Sequence, residues 1–73
     1  MNEFDAAQKY CQAKSAFEAA QNRAANARGL WANADNALGF RDPGIVGQYS
    51  KVYSAACAEL RVAEAAFIAS LAT

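Results

Sequence analysis

Residues 39–44, GFRDPG, are the segment that breaks an otherwise continuous helical pattern in this chain of 73 residues. Gly39 is suited to the left-handed conformation that ends many helices, and Phe40 is then placed to fold back on the last turn. Asp42 before Pro43 is the order of a helix N-cap followed by proline at the first helical position. Because these stop and start signals lie so close together, we expect helices over about 3–38 and 44–72, joined antiparallel by a turn at 39–43.

The first predicted helix carries a seven-residue repeat of the kind found in coiled coils. Large side chains occupy most of the a positions, and alanine occupies every d position. The a positions are Tyr10, Phe17, Ala24, Trp31 and Leu38, and the d positions are Ala6, Ala13, Ala20, Ala27 and Ala34. This alanine-rich seam predicts a second helix packed at close range, since small side chains let helix axes approach.

The second predicted helix has an apolar face with an eleven-residue period, which is typical of a nearly straight helix. Its members are Ile45, Tyr49, Val52, Ala56, Leu60, Ala63, Phe67 and Leu71, and the stripe is widened by Tyr53, Val62 and Ile68.

A turn near Arg41 fixes which residues of the two helices face each other. It puts Arg23 opposite Glu59 at the middle of the hairpin. It also puts Ala20, Ala24 and Ala27 opposite Val62, Ala58 and Ala55, which predicts a narrow waist. Larger side chains then gather at both ends: Phe4, Ile68 and Leu71 among those near the termini, and Leu30, Phe40 and Ile45 among those near the turn.

Composition supports an all-α fold and a small core. Hydrophobic residues make up 55% of the chain, but 20 of them are alanine. Alanine favours helix and buries little area, while strand-forming residues are sparse. A lone two-helix hairpin shields each helix on one side only. We therefore expect a homodimer, as a four-helix bundle.

Charge and residue type argue against several classes of function. The formal net charge is zero and the chain has no histidine, which removes the commonest general base and metal ligand. Cys11 and Cys57 are far apart and not in a CxxC pair, so we expect free thiols in a reducing cytoplasm and no metal. We expect no catalytic residues, no cofactor, no membrane span and no signal peptide. The predicted class is a non-enzymatic cytoplasmic protein.

Aromatic and basic residues near the turn are the candidate partner-binding site, because such side chains dominate binding hot spots. The sequence leaves open which rings fill the core and which are exposed. The candidates are Arg28, Trp31, Phe40, Arg41, Tyr49 and Tyr53.

Three functions are compatible with this chain. The favoured one is a module that docks on a larger protein to inhibit, carry or scaffold it. By size and architecture alone it is similar to small inhibitors of phages and mobile elements and to secretion co-chaperones. The first alternative is an RNA-binding four-helix bundle that uses Lys9, Lys14, Arg23 and Arg28, although a neutral chain offers nucleic acid little long-range attraction. The second alternative is a structural subunit of a larger assembly.

Overall fold

Two long helices packed side by side form the whole of the described structure, a computed structural model that describes residues 3–72. Helix α1 spans Glu3–Leu38 and helix α2 spans Pro43–Leu71, and no strand occurs between residues 3 and 72. The hairpin measures 58 × 13 × 12 Å, so it is one helix pair wide along its full length. The predicted all-α helical hairpin is confirmed.

The turn is closed by backbone hydrogen bonds to the end of α1. The amide of Gly39 donates to the Asp35 carbonyl at 2.9 Å, and the amides of Arg41 and Asp42 both donate to the Leu38 carbonyl, at 2.9 and 2.7 Å. No described residue has a positive φ, so the expected left-handed Gly39 is wrong. Glycine is required there for a different reason: a Cβ would lie 2.6 Å from the Asp35 carbonyl oxygen.

The expected fold-back of Phe40 is also wrong. Its side chain is fully exposed, at 106% of the reference area. A hydrophobic contact onto the last turn accompanies the left-handed helix ending. Because this chain closes its turn without a left-handed residue, Phe40 is left at the tip of the hairpin.

The start of α2 follows the predicted capping pattern. Oδ1 of Asp42 accepts a hydrogen bond from the amide of Ile45 at 3.2 Å, and Pro43 is the first helical residue. The N-cap side chain thus satisfies one of the amides that have no partner inside the helix.

The heptad seam of α1 is confirmed position by position. Every a and d residue from Ala6 to Leu38 is buried or half-buried, and every other residue of α1 is exposed. The buried members are all alanine: Ala20, Ala24, Ala27 and Ala34.

The face predicted for α2 is confirmed at five of its eight positions, which are buried or half-buried: Tyr49, Ala56, Leu60, Ala63 and Phe67. Its eleven-residue period is wrong, because the residues that turn inward follow a heptad. Ile45, Val52 and Leu71 of the expected stripe are exposed. A helix that stays in contact with a heptad seam has to present the same period, since a stripe of another period rotates away from it. The observed seam is Val46, Tyr49, Tyr53, Ala56, Leu60, Ala63, Phe67 and Ser70, all buried or half-buried.

The waist of the hairpin is made of alanine, with a different partner from the one expected. Ala24 and Ala27 pack with Ala56, and Tyr53 and Leu60 border them. Ala55, Ala58 and Val62, expected opposite the α1 alanines, are exposed. The axial register is nevertheless as predicted, because Arg23 Nε lies 2.9 Å from Glu59 Oε2. The error is therefore a rotation of α2 about its own axis.

Aromatic rings close both ends of the seam. At the end near the termini, Phe67 lies 5.7 Å from Tyr10 and 5.3 Å from Phe17, measured between ring centroids. At the turn end, Trp31 lies 5.6 Å from Tyr53. Several side chains expected in these end clusters are exposed instead, because they lie off the two seams: Phe4, Leu30, Phe40, Ile45, Ile68 and Leu71.

Candidate functional site

Three of the predicted partner-binding residues meet two helical turns before the end of α1. Trp31 and Tyr53 come from facing seam positions, and their rings are tilted by 31°. Arg28, one turn before Trp31, places its Cζ 5.5 Å from the Trp31 centroid and 5.7 Å from the Tyr53 centroid. A guanidinium within about 6 Å of two aromatic faces gains cation–π attraction from both. We call Arg28, Trp31 and Tyr53 the aromatic cluster.

The phenol of Tyr53 has a neighbour that changes its acidity. The side chain of Cys57, one turn later in α2, raises the pKa of Tyr53 through a hydrogen bond and through charge repulsion, and desolvation adds to this effect. The positive charge of Arg28 acts in the opposite direction. The net effect is a Tyr53 pKa above its ordinary value, so the phenol is neutral at physiological pH.

A shallow cleft of about 250 Å³ adjoins the aromatic cluster on α1. Arg28 and Trp31 line it together with Ala32, Asp35 and Asn36. It combines one face of an indole with a cation, a carboxylate and an amide, so it suits polar contacts around an apolar centre.

The other three predicted partner-binding residues, Phe40, Arg41 and Tyr49, are not part of the aromatic cluster. Phe40 and Arg41 are exposed at the turn, while Tyr49 is a half-buried seam residue of α2. Trp31 and Tyr53 are also seam residues, so they have a role in packing. Phe40 is the candidate aromatic residue that is wholly available to a partner.

A second surface, which was not predicted from the sequence, is an open groove between the helices that we call the apolar trough. It consists of two adjoining depressions of about 400 and 730 Å³. The Arg23–Glu59 ion pair borders both depressions and therefore crosses the middle of the trough. Its apolar lining is largely exposed and comes from Ala16, Leu30, Val52, Ala55, Ala58, Val62 and Ala66.

The opposite flank of the seam is polar. On α1 it carries Lys14, Gln21, Arg28 and Asp35 at successive heptad positions. On α2 the matching positions hold Ser50, Cys57 and Glu64, with the exposed Leu71 at the end near the termini. The hairpin therefore has one mainly apolar side and one mainly polar side. The apolar side can be recognised in the sequence once a heptad is assigned to α2. Ile45, Val52 and Ala66 each lie one position before a seam residue, so they share the flank that faces the trough.

The described residues contain no candidate metal site, no candidate membrane-spanning helix and no disulfide. Between residues 3 and 72, no three His, Cys, Asp or Glu side chains come together in a way suited to a metal ion. Over the same residues, neither helix has an apolar stretch of the length needed to cross a membrane. Cys11 is exposed and Cys57 half-buried, and both are free thiols.

Comparisons of the chain with protein-family models, with curated proteins and with solved structures find no match.

Proposed function

We propose that this chain is a non-enzymatic protein-binding module that docks on a larger protein through the turn end of the hairpin, to inhibit, carry or scaffold it. The observation that carries the proposal is Phe40, a fully exposed phenylalanine at the tip of a chain whose buried residues are alanines. Full burial of such a side chain contributes about 1.5–3 kcal/mol. The fold leaves this contribution unused, and a partner with an apolar pocket gains it.

The surroundings of Phe40 suit recognition of a protein surface. Arg41 is its exposed neighbour, and the aromatic cluster lies two turns of α1 away on the same half of the hairpin. Aromatic anchors with arginine beside them are enriched at the energetic centres of protein interfaces. Three backbone hydrogen bonds close the turn that carries Phe40, and a preorganised loop loses less entropy on binding.

The RNA-binding alternative receives less support. Its four basic residues are divided between two flanks of α1: Lys9 and Arg23 share one flank, and Lys14 and Arg28 share the other. Arg23 is paired with Glu59, and Arg28 lies over two rings. Phosphate contacts need free cations arranged on one face.

The test compares capture by two exposed phenylalanines at opposite ends of the molecule. The wild type, Phe40→Ala and Phe4→Ala are used as bait in the lysate of the native host. Phe4 is the matched control, since it is 73% exposed and lies near the termini. We expect one protein to be captured in stoichiometric amount by the wild type and by Phe4→Ala, and to be lost with Phe40→Ala.

Four results would contradict the proposal. Retention of the captured protein by Phe40→Ala, or its equal loss with both variants, argues against docking through the turn. Capture of RNA that declines steeply with salt favours the nucleic-acid alternative. Filaments that grow with protein concentration favour the structural subunit.

A further inference from the structure

The apolar trough exposes aliphatic side chains that a folded protein normally covers. Val62 is exposed by 72%, and Leu30 and Val52 are each more than half exposed. Leu30 and Val52 line one depression of the trough and Val62 lines the other, and both depressions are bordered by the Arg23–Glu59 pair. A continuous apolar patch of this kind marks an interaction surface.

The total surface of the chain gives the size of the expected interface. The hairpin exposes 5396 Å². A folded monomer of 7.7 kDa exposes about 4,300 Å². The excess is about 1,100 Å², compared with the roughly 800 Å² that each partner buries in a standard stable interface. The excess is therefore large enough for one interface of standard size.

We propose that the occupant of the apolar trough is a second copy of this chain, which makes a four-helix bundle. The argument for a second copy is charge. The trough has one cation, Arg23, and one anion, Glu59, at its middle, with apolar side chains in both directions along it. A two-fold axis along the hairpin places Arg23 of one copy over Glu59 of the other, and the reverse.

The four charges then alternate around the bundle, so each has two opposite neighbours. The same rotation sets α1 of one copy against α2 of the other, antiparallel, as in an up-and-down four-helix bundle. The apolar side chains on either side of the ion pairs are removed from water at the same time. This inference uses a different surface from Phe40 and does not depend on the proposed function.

The experiment is analytical ultracentrifugation of three proteins at micromolar concentration, with helix content checked by circular dichroism. Val62→Glu puts a charge in the trough. Ile68→Glu is the matched control, an exposed aliphatic residue of α2 at 56% that lies outside the trough lining. We expect the wild type and Ile68→Glu to have twice the mass of 7.7 kDa, and Val62→Glu to have the single mass.

A complementation test shows that the ion pair lies in the interface. Arg23→Glu alone gives a trough with two anions, and Glu59→Arg alone gives one with two cations, so each variant is expected to lose its dimer. An equal mixture of the two is expected to recover the double mass, because opposite charges then face each other. Recovery on mixing cannot come from a variant that fails to fold.

The proposal is overturned by a wild type of single mass, which leaves the trough to a different protein. It is also overturned by a Val62→Glu variant that keeps the double mass, or by a mixture of the two charge variants that stays monomeric.

Discussion

Replacing Phe67 by alanine removes the ring that joins the two helices at the end near the termini. Phe67 lies 5.7 Å from the Tyr10 ring and 5.3 Å from the Phe17 ring. Truncating a fully buried phenylalanine costs about 3–5 kcal/mol. Since Phe67 is half-buried, we take about 2 kcal/mol for burial. The two ring pairs add about 0.5 kcal/mol each, at the low end of their range. The expected loss is about 3 kcal/mol of unfolding free energy.

The assay is urea denaturation, followed both by circular dichroism and by the fluorescence of Trp31, the single tryptophan. Trp31 lies near the opposite end of the hairpin. Coincident transitions from the two signals establish two-state unfolding, and measurement at several protein concentrations separates folding from association.

Phe4→Ala is the control, because Phe4 is exposed and takes part in none of the ring pairs found between residues 3 and 72. It is expected to change the unfolding free energy by less than about 0.5 kcal/mol. A double-mutant cycle between Phe17 and Phe67 isolates their coupling, expected at about 0.5–1.5 kcal/mol. Equal losses for Phe67→Ala and Phe4→Ala, or zero coupling in the cycle, would refute the reasoning.

Two further predictions concern the turn and the aromatic cluster. Gly39→Ala is expected to lower the melting temperature, since the added Cβ would lie 2.6 Å from the Asp35 carbonyl oxygen. Gly29→Ala has nothing within 4 Å of the added Cβ and is expected to stabilise the helix by about 1 kcal/mol. Equal shifts of the melting temperature in the two variants would contradict this. Cys57→Ala is expected to lower the pKa of Tyr53 in an ultraviolet titration of tyrosinate, because Cys57 is the main cause of its elevation. A raised phenol pKa contributes stability that is complete below the ordinary value of 10.0 and is lost as the pH rises through the folded-state pKa. The alkaline loss of stability should therefore shrink in Cys57→Ala, and an unchanged titration would exclude the assigned cause.

Sequence reasoning predicts best where one residue decides a local structure. Asp42 and Pro43 specify the start of α2 because a side-chain acceptor and a missing amide each have one suitable place in a helix. The α1 seam was also readable, since large residues at the a positions leave no competing face. The ending at Gly39 was predicted in position but not in conformation, because two amides of the turn share the Leu38 carbonyl instead.

The face of α2 is not readable from α2 alone. Alanine, valine and isoleucine occur on several of its sides, so more than one apolar stripe can be drawn through it. Contact with α1 selects the stripe that contains Val46 and Tyr53 and leaves Ile45 and Val52 outside. For this reason the sequence predicts Val52 and Val62 in the core and does not reveal the apolar trough. The nearness of Trp31 and Tyr53, in contrast, follows from the axial register.

The alanine waist has a consequence for how the two helices are held in register. An alanine side chain has no torsion angle to interlock with a neighbour, so the middle of the seam offers little resistance to axial sliding of one helix along the other. Tyr10 and Phe17 are one heptad apart, and Phe67 packs against both. A slip by one heptad would carry Phe67 past one of these rings. Alignment is thus maintained at the ends, by the rings and the short turn, rather than by the alanines in the middle.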